Sequence, residues 1–381
     1  MPHRTDRRTL LAGLGVAGAL TLARTARAQT CGDAGPLGPT GPTMHDLSRQ
    51  ISRGPDHPAQ TGIAISSLAG SASAQFVIDQ PGEYYLSGPI TGVPFLNCIE
   101  IRASHVQIDF GGWTIFGVPN TRSGIWAPLP QTNIEIHEAS FDGWQDSCIN
   151  LSNCSNCLCD TGWFRGCNGA GASGTGPGVL ALGPRGCIDN CDQFDCQGSL
   201  MSVGQHGEIY ESLSAGGSGN CFQCGDGGVI ENCFALQNAG VGVVMGPHST
   251  LTLSRIMDNG GVVTAVGNVV FDCEISRCST GVTVGGGGNE IEDNYICECP
   301  TGISVGPAGA RTLVDLNHVV GAQAAIVVDA AAPRVLITRN QVTVLPGGIG
   351  FSLASAAFGT IRDVTAGGDI GAVGAQDNIL Y

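Results

Sequence analysis

The chain has 381 residues, of which 59 are glycine and 17 cysteine; 32 acidic side chains face 17 arginines and no lysine, for a formal net charge of −15. That balance repels nucleic acid and anionic membrane surfaces and argues against a tight polyanion binder. Abundant glycine without a strict Gly-x-y period, together with few aromatics, suits a turn-rich fold of small side chains.

Taken in chain order, Arg4, Arg7 and Arg8 precede an apolar run from Leu10 to Leu22, and Ala26-Arg27-Ala28 offers a small-x-small cleavage pattern. Residues 1–28 are therefore predicted to be a signal peptide. Arg7-Arg8 followed by Thr9-Leu10-Leu11 resembles a twin-arginine export signal, and the run is too short to span a bilayer. The expected mature chain is exported to the periplasm or beyond, with no membrane insertion. Loss of five arginines and one aspartate takes its formal charge to −19.

Residues 29–74 read as linker and N-terminal cap. "PLGPTGP" (Pro36 to Pro42) is the linker, and Thr43 begins a short helix with Met44, Leu47 and Ile51 on one face. Residues 75–370 then repeat. Apolar segments recur at Cys98, Gly124, Cys148, Gly178, Ser199, Cys221, Gly242, Val262, Gly281, Gly302, Ala325 and Gly348, at spacings of 19 to 30 residues. Gly281-Val-Thr-Val returns as Gly302-Ile-Ser-Val. A fixed period of this size means a solenoid, and short alternating segments between turn residues mean strands. Identical strands stacked on one another are parallel, about 4.8 Å apart. The fold class is all-β, a parallel β-helix of about 10–12 coils by this spacing. Residues 371–381 lose the repeat and read as a C-terminal tail.

The segment "VIDQPGEYYLSGPITG" (Val77 to Gly92) followed by "IEIRASHVQIDFGGWTIFG" (Ile99 to Gly117) is similar to the opening of many secreted bacterial β-helix-repeat proteins. Over roughly residues 75 to 370 the chain resembles the right-handed parallel β-helices of the pectate-lyase-like superfamily. The resemblance implies the fold and its right hand; it does not select an activity, because this architecture hosts lyases, hydrolases, epimerases, adhesins and others.

Seventeen cysteines in an exported chain raise the question of disulfides. Cys167, Cys196, Asn238, Asn259, Cys278 and Cys299 form one predicted column. Cys191, Cys233, Cys273, Asn294, Asn317 and Asn340 form a second. Inward asparagines at bends build amide ladders, and a buried cysteine can take the same place, so these thiols are expected reduced. Neighbouring pairs such as Cys278 and Cys299 are the candidates for bridges. Metal binding at "CSNCLC" (Cys154, Cys157, Cys159) or "CFQC" (Cys221, Cys224) is disfavoured, because alternation turns side chains to opposite faces.

For chemistry, the outward first-strand positions are read as Glu100, Trp126, Asn150, Leu180, Met201, Gln223, Val244, Thr264, Thr283, Ser304 and Val327. The resemblance to polysaccharide lyases implies a base and an acid cluster on this face, and neither is present. Asp160, Glu211, Asp272, Asp293, Asp315 and Asp363 recur near one second-strand position, as a solvated face or as calcium bridges. No cofactor is expected, calcium being the one candidate ion.

All four tryptophans, Trp113, Trp126, Trp144 and Trp163, fall in the early coils, among Asp109, Glu135, His137, Glu138, Asp142, Asp146 and Arg165. Aromatic faces beside carboxylates and imidazole suit a sugar ring, while packing, with some of the tryptophans plugging the wide early coils, is the other reading. Glu135 and His137, two residues apart on a strand, share a face as a candidate catalytic acid/base pair. Trp126, Trp144, Asp142 and Arg165 are the candidate substrate-binding residues.

Two functions follow. The neutral first face favours a non-catalytic structural or cell-surface protein, the leading reading. The tryptophans favour the alternative, a monomeric carbohydrate-binding or polysaccharide-modifying protein with glycans as partners.

Overall fold

The computed structural model describes residues 62–168, 178–198, 201–329, 331–353, 360–362 and 365–367. The predicted signal peptide, linker, cap helix and C-terminal tail, and Asp363, lie outside the described residues. The regular secondary structure of these residues is almost entirely strand, wound through about twelve turns. Its one helical element is a single 3₁₀ turn at Ile65–Ser67. No described helix is long and apolar enough to cross a membrane.

One turn shows the plan. Ile125–Trp126 lies on the first face, Ile134–His137 on the second and Ser140–Asp142 on the third, and Ile149–Leu151 then returns to the first. Fourteen strands stack as the second face. The first and third faces join into one sheet of twenty-four because His318–Val328 and Gln341–Leu353 run through both. Pairing between successive turns is parallel throughout, for example Ile149 with Ile125 and Ile136 with Ile108.

The alternation of each strand makes the core. In Ile134–His137 the isoleucines are buried while Glu135 is exposed and His137 half-buried. Repeated over the turns, this yields three inward columns. Ile99, Ile125, Ile149, Leu180, Met201 and Phe222 line the first, and Ile108, Ile136, Cys159, Ile188 and Ile209 the second. In the third, Phe141 and Phe164 follow Ile90 and Ile115, their rings stacked 5.9 Å apart at 8°.

Corners need a left-handed backbone. After the second face, Glu138, Thr161, Asn190, Glu211 and Asn232 all adopt it, with φ between 46° and 59°. Polar side chains then face inward and satisfy the turned backbone. The predicted second column is present but denser than the sequence reading: Ser212 and Ser254 fill the gaps between its cysteines. The Cys191 amide donates to Ser212 Oγ at 3.1 Å and the Cys233 amide to Ser254 Oγ at 3.1 Å. Farther on, the amides of Cys273, Asn294 and Asn317 donate to the side-chain oxygens of Asn294, Asn317 and Asn340 at 2.9 to 3.1 Å. A hydroxyl, a thiol and an amide thus hold one position in successive turns.

The cysteines of both columns carry free, buried thiols, Cys278 and Cys299 included. Cys159 Sγ lies 3.8 Å from Cys191 Sγ, a contact between free thiols. Cys297, by contrast, is disulfide-bonded. Burial pushes the Cys98, Cys233 and Cys273 thiols up to about 12.

The echoed glycines have a steric cause. A Cβ on Gly281 would lie 2.4 Å from the Gly302 carbonyl oxygen, and one on Gly302 would lie 2.5 Å from that of Ala325. Successive turns approach there too closely for any side chain.

Candidate functional site

The residues gathered by sequence reading fall on three different faces. Trp126 is on the first, Glu135 and His137 are on the second, and Asp142 and Arg165 are on the third.

Trp144 is on none of them. Its ring is fully buried, edge-on to Phe141 at 6.1 Å, and its indole N–H donates to the Arg122 carbonyl. It sits in the loop after the third face, where the interior rather than solvent receives it. A ring with no exposed surface cannot stack on a sugar, so Trp144 is a packing residue.

The first face is neutral, and three of its predicted outward positions were off by one. Leu180, Met201 and Thr264 point inward and are buried. Their outward neighbours in register are Ala181, Ser202 and Val263. Around Trp126 the register neighbours are Glu100 and Asn150. Glu100 is buried and already engaged, accepting from Arg102 Nε at 2.6 Å and Ser73 Oγ at 2.7 Å. The face offers a half-buried indole beside an amide and no free acid or base.

Titratable groups gather instead on the second face. One outward column runs Asp109, His137, Asp160, Asp189, Tyr210, Glu231 in successive turns. Beside it run Gln107, Glu135, Leu158, Cys187 and Glu208. His137 has a carboxylate at each ring nitrogen: Nε2 is 3.4 Å from Glu135 Oε2, and Nδ1 is 3.7 Å from Asp160 Oδ2. Both carboxylates keep solvent access, with side-chain exposures of 51% and 32%. An imidazole placed this way can carry a proton toward either acid, the elementary act of acid/base catalysis.

Two neighbours are held in their neutral forms. Burial, and then the charges of Asp189 and Glu208, push the Cys187 thiol up to about 12, so it supplies no thiolate nucleophile. Burial and a hydrogen bond to Glu208 push the Tyr210 phenol up as well. Asp160 escaped the sequence reading as a partner of His137, and Asp189 and Tyr210 as members of its column. Counting register from the inward series Ile136, Cys159, Ile188, Ile209 finds them.

The predicted acidic column also needs correction. Asp160 and Asp315 are outward strand residues, whereas Glu211, Asp272 and Asp293 sit one residue later, at left-handed corners. Short polar side chains tolerate that backbone, which is why acids recur there as well. The strand column is completed by Asp189, Glu231 and Glu292. Among the described residues, no three His, Cys, Asp or Glu side chains converge as a metal-binding group.

On the third face Asp142 and Arg165 are direct register partners, and Trp163 is half-buried beside them. In the loop before the first face, burial raises the Asp146 carboxyl above its usual range, opposed by its bond to the Ser147 amide and by Arg122.

No protein-family model matches the chain, and no curated protein matches it in sequence. Among solved structures it is similar to a point mutant of the periplasmic alginate epimerase AlgG. That match has 14% identity, 79% of this chain and 78% of that one covered, and a TM-score of 0.50. The A-module of the Azotobacter vinelandii mannuronan C-5 epimerase AlgE4 is 14% identical over 70% of this chain and 97% of that one, with a TM-score of 0.41. At such identity a likeness speaks for architecture alone. The stacking, the corners and that architecture agree: the chain is a parallel β-helix.

Proposed function

We propose that this chain is an exported glycan-active protein whose chemistry is proton transfer at Glu135 and His137 on the second face. The observation that carries the proposal is the placing of both His137 ring nitrogens against solvent-accessible carboxylates. That arrangement supplies what proton transfer needs, and the AlgG neighbour is named for a reaction on a polysaccharide. Carbohydrate chemistry therefore stands ahead of the structural reading favoured by the sequence. The Arg7-Arg8 signal and the periplasmic setting named for AlgG both support export.

The electrostatics choose the substrate class. A uronate chain approaching Asp109, Glu135, Asp160 and Asp189 meets like charge and, His137 apart, no basic side chain in these two columns, so a neutral glycan fits. Glu135 and Asp160 lie on either side of His137 and supply the two carboxylates that hydrolysis of a glycosidic bond uses, so that is the reaction assigned. The Glu135–His137 pair gives a proton to the departing glycosidic oxygen. Asp160 takes one from water, whose hydroxyl joins the anomeric carbon.

The test is reducing-end release from a panel of neutral glycans and polyuronates. Release from a neutral glycan, abolished in Glu135→Gln with binding retained, supports the proposal. A parent protein that neither binds nor cleaves any member of the panel returns the account to a structural protein.

A further inference from the structure

The third face carries a ladder that the proton-transfer chemistry does not use. Its outward column reads Phe116, Asp142, Arg165, Phe194 in four successive turns, ring, acid, base, ring. Trp163 stands half-buried beside Arg165 on the same strand. Phe116 is 42% exposed, Arg165 is exposed, and Asp142 and Phe194 are half-buried. Register partners one turn apart are about 4.8 Å from each other, close enough for an ion pair. Asp142 and Arg165 nevertheless form none, with each other or with any other described residue.

Farther along the same face the opposite holds. Arg255 pairs with Glu274 at 2.8 Å and covers the Phe234 ring at 6.0 Å, so its charge and that ring are taken up within the protein. Unspent donors and acceptors between open rings belong to the early turns.

We propose that Phe116, Asp142, Arg165, Phe194 and Trp163 form a separate binding ladder for an extended neutral saccharide chain lying along the coil axis. The assignment rests on the glycan reading above and adds a second surface to it. Pyranose rings present apolar C–H faces to aromatic rings and hydroxyls at their edges. Those hydroxyls donate to the Asp142 carboxylate and accept from the Arg165 guanidinium. The four turns span roughly 14 Å, so several linked sugars contact the ladder at once. A protein partner suits it less, since interface cores are depleted of charge and an unpaired carboxylate there is costly. A polyuronate would meet Asp142 as a repulsive group.

The experiment is calorimetric titration of neutral oligosaccharides of increasing length, with polygalacturonate and alginate oligomers alongside. The parent is compared with Trp163→Ala, Phe194→Ala, Arg165→Gln and His137→Ala. Affinity for the neutral series should rise with length, and each ladder variant should weaken it roughly three- to tenfold. His137→Ala should lose turnover and keep that affinity. Urea midpoints identify any variant that fails to fold, and Arg165→Gln, at an exposed position, remains informative in that event. Ladder variants that bind as the parent does, while the parent still binds and cleaves, overturn the ladder and leave the active site standing. A parent that binds no glycan overturns both. Preference for polyuronates, or self-association that the ladder variants abolish, overturns the assignment of the occupant.

Discussion

Replacing Trp144 separates packing from binding among the early tryptophans. The ring is fully buried and edge-on to Phe141, and it fills the space under Gly92, where a Cβ would come within 2.6 Å of it. Truncating a buried tryptophan to alanine costs about 3–5 kcal/mol in lost burial and cavity. Losing the bond to the Arg122 carbonyl adds about 0.5–1.5 kcal/mol. Trp144→Ala should therefore destabilise the fold by roughly 4–6 kcal/mol. Trp126 lies outward and half-buried, so Trp126→Ala should cost about 0.75–1.5 kcal/mol, half the value of a fully buried side chain. Urea unfolding followed by circular dichroism gives both numbers. Equal midpoints for the two variants would refute the assignment of Trp144 to the interior.

Asn317→Leu should cost about 2–5 kcal/mol, because the Asn294 amide and the Ile291 carbonyl lose their partners, while Asn317→Ser should be milder. The serine precedent is in the same column, at Ser212 and Ser254, and equal losses for both variants would contradict it. The column thiols should react slowly with thiol reagents until denaturant is added, since burial raises them and bars access. Fast labelling of the native protein at Cys233 or Cys273 would oppose this. Asp146 has a folded pKa above its unfolded value, so its charged form costs stability at neutral pH, a cost that disappears as pH falls through the folded pKa. Asp146→Asn should thus raise the unfolding midpoint at pH 7 and leave it unchanged at acid pH; a lower midpoint at pH 7 would show that the carboxylate is needed.

The repeat made the architecture legible. Gly281 and Gly302 echo one another because turn-to-turn contact leaves no room for a Cβ, and the Asn294, Asn317, Asn340 series marks a corner that must bond its own backbone. Register was less legible. Turns differ in length, so Leu180, Met201 and Thr264 were each placed one residue from the outward position, and with period-two alternation one residue reverses the face. The site suffered from the same geometry. Trp126, Glu135 and Asp142 are close in sequence, yet three strands of a turn point in three directions, and only Glu135 and His137 share a strand. Trp144 looked like a binding residue because nothing in the sequence around it shows that its loop folds inward.

The most direct measurement is reducing-end release from neutral glycans by the full chain, run beside Glu135→Gln and His137→Ala. The account predicts release by the parent, loss in both variants, and retained binding in both. Release that persists in both variants, or that comes only from polyuronates, would contradict it.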